Sequence, residues 1–122
     1  MSDSLYLVFS NPRPGDDDEC DRWYREEHMV ETIHVLPGLV SAQRFRRDEL
    51  SAAPSSLPRY LTAYGVENGA DAVVGAAIEQ YRTRNGAPRP DGRLQLSPTL
   101  DIGSVVSGLF RPTSEVVLRS GA

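Results

Sequence analysis

At 122 residues the chain fits one domain and is long enough to bury a core without a disulfide or metal staple. Its apolar content of 39% is that of a folded protein, and its formal net charge of -4 argues against nucleic acid or anionic membrane as partner, since both require clustered positive potential. Cys20 is the single cysteine, which excludes an intramolecular disulfide and a cysteine-type zinc site.

The first residues lack the basic and apolar stretches of a secretory signal, and no apolar run approaches the length of a membrane span. A cytoplasmic location is therefore expected. Arg44, Arg46 and Arg47 form the one basic cluster, too small to track a phosphate backbone.

In chain order, Leu5–Ser10 is a short β-branched and aromatic run, closed by the turn-rich Asn11–Gly15, and is predicted as a strand. Asp16, Asp17, Asp18 and Glu19 then open a helix, because carboxylates cap free N–H groups and suit the positive end of the dipole. The helix is expected from about Asp17 to Val35, stopped by Pro37-Gly38. Leu39–Arg47 alternates as a second strand. The Ala-, Ser- and Pro-rich stretch 48–58 reads as a loop. Arg59–Val66 is a third strand, antiparallel to the second.

Asn68-Gly69-Ala70-Asp71 starts a second helix, with Val74, Ile78 and Tyr81 at helical spacing and Asn85-Gly86 at its end. Residues 87–98 hold three prolines and are expected as an extended loop or lid. Asp101–Pro112 is the fourth strand, interrupted by Gly and Ser as a bulge would be. Beyond it, Val116-Val117-Leu118 is one more apolar run, suited to adding as a strand to a neighbour. The order is β-α-β-β-α-β, an α+β fold in one domain spanning 1–122.

With that order in place, the first helix and the strand after it become recognisable. Asn11-Pro12, Gly15, Glu19, Trp23-Tyr24, His28 and the stretch from Leu36-Pro37-Gly38 to Arg44-Phe45 together resemble the EthD-like branch of the dimeric α/β-barrel superfamily. The Trp-Tyr-x3-His of the helix and the Pro-Gly before a strand ending in Arg-Phe carry the resemblance. It covers the N-terminal half; the second half matches in element order. Cys20, where a large apolar residue is usual, and the Pro-rich segment before the last strand depart from the pattern.

The resemblance implies a ferredoxin-like subunit with a four-stranded antiparallel sheet that faces the sheet of a second copy, so a homodimer is expected. It also implies a cavity between sheet and helices that takes a small-molecule ligand. Members include cofactor-free dehydratases, cyclases and isomerases of aromatic or polyketide pathways, and a shared fold does not choose among them.

On an ideal helical wheel, at about 100° per residue, the arc facing the sheet is centred near Cys20 and bounded by Tyr24 and Val35 on one side and Trp23 and Val30 on the other. Glu27 and Glu31 fall near its centre, and His28 and His34 towards its flanks. Arg22, Arg25 and Glu26 lie opposite, as do Met29, Ile33 and Leu36, which requires either a second contact surface or an earlier helix end. Two carboxylates on a buried face argue for a polar cavity, because an isolated buried charge is strongly unfavourable. Tyr24 with His28 and His28 with Glu31 stand at spacings that allow contact, and a histidine oriented by a carboxylate acts as an acid or base near neutral pH.

The bland alternatives are packing or capping for His28, solvation near the helix end for Glu31 and His34, and an ion pair with Arg44 for Glu27. His28-x2-Glu31-x2-His34 is a poor metal clamp, since its histidines stand about 9 Å apart along the axis. Tyr60 and Tyr64 share a strand face, and with Tyr6 are candidates to donate to a substrate oxygen or to fill the core. Arg44 is a candidate partner for a substrate carboxylate or enolate.

No phosphate loop, serine elbow or flavin or nicotinamide fingerprint is present, so no cofactor is expected. The expected catalytic set is thus His28, Glu31 and Tyr24, with Trp23, Glu27, Arg44, Tyr60, Tyr64 and Tyr6 around a ligand. The expected function is a cofactor-free lyase or isomerase. The alternatives are a non-catalytic binding or assembly module and, using Asn11 and Trp23, a cofactor-independent or haem-degrading monooxygenase.

Overall fold

The computed structural model describes residues 4–49, 56–81 and 94–120. Strand β1 (Leu5–Pro12) leads into helix α1 (Asp17–Trp23), a π-helical turn (Tyr24–His28) and helix α2 (Met29–Val35), which form one continuous helical run. Strands β2 (Leu39–Arg46) and β3 (Tyr60–Val66), helix α3 (Asp71–Tyr81) and strand β4 (Leu100–Phe110) follow. The four strands make one antiparallel sheet in the order β2-β3-β1-β4. The result is an α+β ferredoxin-like arrangement. The bulge expected in the last strand is present where β4 pairs with β1, as a register shift between Phe9 and Asn11.

The pairing sorts side chains cleanly. Tyr6↔Tyr64, Val8↔Thr62 and Ser10↔Tyr60 face the helices, together with Ala42 and Arg44 from β2 and Ser107 and Leu109 from β4. One apolar cluster joins Leu36, Leu39, Tyr64, Val66, Val74 and Ala77, and a second joins Cys20, Trp23, Tyr24 and Leu100. Gly38 closes the first helical run at φ 92°, and a Cβ there would meet Val74 Cγ2 at 2.7 Å, so this turn requires glycine twice over.

The acidic opening of α1 works differently from expectation. Asp16 sits at the N-cap without a side-chain capping bond, and Asp17 turns outward to take Arg59 Nη2 at 3.0 Å. Asp17, Asp18 and Glu19 still occupy the first turn, where the helix dipole favours them.

Residues 87–93 of the expected lid and the expected end of α3 at Asn85-Gly86 lie outside the described residues, as do residues 50–55 of the loop after β2. Among the described residues the tail after β4 forms no strand, and Val116, Val117 and Leu118 are exposed. Among them, too, no helix is long and apolar enough to cross a membrane.

Candidate functional site

A cavity of about 460 Å³ lies between the sheet and the helices. The sheet contributes Tyr6, Val8, Tyr64, Leu100, Val105, Val106 and Ser107; the helices contribute Tyr24, His28, Thr32 and Ile78; Leu94 and Leu96 come from the segment leading into β4. Its size and its mixture of aliphatic walls with a few polar groups suit a small organic ligand. A second cleft of about 380 Å³ lies beside it, lined by Trp23, Glu27, Glu31 and residues 95–98. His28 lines both.

The imidazole is held by rings. It stacks on Trp23 at 4.5 Å between centroids and meets Tyr24 edge-on at 5.2 Å. Tyr24, 2% exposed, places its hydroxyl 3.5 Å from that of Ser10 on β1. Tyr64 stacks on Tyr6 at 5.8 Å, and Thr32, which lines the cavity with it, donates its hydroxyl to the His28 carbonyl at 2.6 Å. Burial pushes the phenols of Tyr24 and Tyr64 up, against a smaller pull down from Ser10 and Arg44 on the first and from Thr32 on the second. Both are therefore neutral hydrogen-bond donors at physiological pH. Burial also raises the Cys20 thiol.

Of the residues expected at the site, His28, Tyr24, Tyr64 and Tyr6 line the cavity. Trp23, Glu27 and Glu31 line the second cleft. Three of the expected residues have partners that the sequence did not suggest. Glu27 does not pair with Arg44: its side chain is exposed and stands 3.6 Å from Arg22. The Glu31 carboxylate accepts the backbone N–H of Leu94 at 2.7 Å. Arg44 does not reach into the cavity but lies behind it, bonded through Nε to Asp21 at 3.1 Å and through Nη1 to Thr62 at 3.0 Å.

Tyr60 also stays outside the cavity lining, with its hydroxyl 3.4 Å from Asp17 and its phenol raised by burial. His34 is exposed. Asn11 is structural: its side-chain oxygen accepts the Arg59 N–H at 2.7 Å. Among the described residues no group of three or more His, Cys, Asp or Glu is placed to hold a metal ion.

Thr32, Ser107 and the Leu94–Leu96 wall are cavity residues that sequence reading missed. Thr32 was legible in principle as a polar residue one turn beyond His28, but an ideal wheel points it away from the arc's centre. The reason is the π turn. Its extra residue per turn rotates everything C-terminal to it by about 100° relative to an unbroken α-helix. Met29, Thr32 and Leu36 swing inward, while Val30 and His34 swing out to solvent. The apolar set left stranded on the solvent side of the ideal wheel thereby joins the core, and neither a second contact surface nor an earlier helix end is needed.

Comparison with solved structures finds similarity to an ethyl tert-butyl ether D (EthD) family protein from Bacillus halodurans C-125. The TM-score is 0.51 at 14% identity, over 89% of this chain and 98% of that one. The match shows that the fold is EthD-like, as the residues of the first helix imply. A scan against protein-family models matches none, and a search of curated proteins finds no relative.

Proposed function

We propose that the protein is a cofactor-free proton-transfer enzyme, a lyase or isomerase of the dehydratase or cyclase type, acting as a homodimer on a small aromatic or polyketide-like molecule. The observation that carries this reading is the position of His28: a titratable ring held by Trp23 and Tyr24 at the wall of a ligand-sized cavity beside two neutral phenols. In such a site the imidazole removes a proton from carbon or returns one to oxygen. A phenol hydroxyl donates to the substrate oxygen that gains charge. The aliphatic walls exclude water and strengthen both interactions.

Solvent-deuterium incorporation tests the reading even while the substrate is unidentified. Small carbon acids of cavity size, such as cyclic β-diketones and phenolic ketones, are incubated with the protein in D2O and followed by NMR. Exchange above background is expected for at least one probe class, falling by about 10²–10⁴-fold in His28→Gln. Probes that bind without exchange would instead establish the non-catalytic binding module, and oxygen consumption with a bound probe would establish the monooxygenase.

A further inference from the structure

We propose that Arg44 is a positioning residue that acts through Tyr24, a residue of the cavity wall, its guanidinium stacked against the face of the phenol so that the hydroxyl becomes a stronger hydrogen-bond donor. The geometry is specific. The guanidinium carbon stands 3.8 Å from the centre of the Tyr24 ring and 4.7 Å from that of Tyr60, which places the cation between two aromatic faces. Asp21 on α1 and Thr62 on β3 fix its orientation from two directions. The side chain is 5% exposed, and among the described residues its Nη2 has no hydrogen-bond partner.

A stabilising ion pair does not account for that arrangement. A guanidinium kept only for stability would satisfy its donors or leave them in water, since a buried orphan N–H is unfavourable. Here the chain keeps a partly unsatisfied cation pressed against one particular phenol, and that phenol lines the cavity beside His28.

A positive charge at this distance favours the build-up of negative charge on the phenol oxygen, which is what a donor must tolerate when it bonds to a developing oxyanion. Among the groups around Tyr24, Arg44 is the one full charge that acts in that direction, beside the larger pull of the Ser10 hydroxyl. Ser10 on β1 also favours the charged form, Cys20 on α1 and Tyr6 on β1 oppose it, and Tyr64 and His28 complete the shell.

The inference rests on reading the cavity as an acid–base site, yet its test needs no substrate. 3-Fluorotyrosine is placed at position 24 and its ionisation followed by 19F NMR. Fluorination makes the phenol more acidic, so that it titrates while the protein is folded. The midpoint is expected to rise by roughly one unit or more in Arg44→Met and to return most of the way in Arg44→Lys, with circular dichroism unchanged. Arg44→Gln, which keeps a neutral amide donor on the side chain, serves as the neutral variant if Arg44→Met does not fold.

A neutral variant that titrates like the native protein, or a lysine variant that titrates like the neutral one, overturns the proposal. Collapse of both neutral variants assigns Arg44 a structural role and overturns it equally. An unmoved midpoint leaves the cavity's acid–base reading standing, whereas a moved midpoint with no carbon-acid exchange removes that reading and keeps the tuning of Tyr24.

Discussion

The carboxylate of Glu31 holds the cavity wall, a duty separate from acid–base chemistry at His28. It accepts the N–H of Leu94, a buried leucine at φ 53°, a conformation that non-glycine residues adopt at some strain. Glu31→Ala removes that carboxylate acceptor from a buried N–H and is expected to lower stability by about 1–3 kcal/mol in urea unfolding. Glu31→Gln keeps an oxygen acceptor, and its loss is expected to stay below about 1 kcal/mol, with carbon-acid exchange near the native rate. A Gln variant as inactive as His28→Gln would restore Glu31 to the chemistry.

A second residue-scale expectation concerns alkali. Cys20, Tyr24, Tyr60 and Tyr64 are all weaker acids in the folded protein than in the unfolded chain, chiefly through burial. The unfolded chain therefore loses these protons first, from about pH 8.5 for the thiol and about pH 10 for the phenols. The stability they contribute is whole below those values and drains away as pH rises through the folded pKa of each group. The urea midpoint is expected to fall steadily above about pH 9, and less steeply in Tyr64→Phe. A midpoint that holds level to about pH 11 would contradict the burial argument.

At the scale of elements, the π turn over Tyr24–His28 decides what the first helical run presents to the sheet. Its residues Arg25, Glu26 and Glu27 are exposed, so the extra residue bulges towards solvent while Tyr24 and His28 stay inside. Deleting Glu26 is expected to restore α-helical register and rotate residues 29–36 back by about 100°. Leu36 and Thr32 would leave the core, and His34 and Val30 would enter it. Such a change buries a titratable group and strips the core of a leucine. We expect either no folded protein or a melting temperature lower by more than about 10 °C, measured by circular dichroism. A deletion variant that melts like the native chain would show that the turn is a passive irregularity.

The same turn marks the limit of what was legible in the amino-acid pattern. Strand alternation, the bounds of the first helical run and its Pro37-Gly38 stop depend on local periodicity, and they are read correctly from the sequence alone. The face carried by Met29, Thr32 and Leu36 depends on one inserted residue that no local preference announces. The partners of Arg44 and Glu31 come from elements far away in the chain, Thr62 and Leu94, and periodicity does not encode them.

For the whole molecule, the unanswered physical question is the far side of the sheet. Helices cover one face; the other carries Leu5, Leu7 and Phe9 on β1, Leu61 on β3, Phe45 on β2, and Val106 and Phe110 on β4. Phe45 is 44% exposed, Phe110 55% and Val106 62%, so large side chains stand in water across the full width of the sheet. A contiguous apolar surface of this kind is unfavourable unless covered, and a stable partner must bury roughly 800 Å² on each side. A second copy would supply a face of matching shape and chemistry. Light scattering is expected to give about twice the chain mass of 13.4 kDa. Introducing charge at two strands, with Phe45→Glu and Phe110→Glu together, is expected to halve that mass, because buried unpaired carboxylates oppose closure of the face. Circular dichroism should be unchanged, since neither side chain belongs to the core beneath the helices. A native chain that stays monomeric at tens of micromolar would defeat the homodimer while leaving the cavity and its chemistry to be judged within a single subunit.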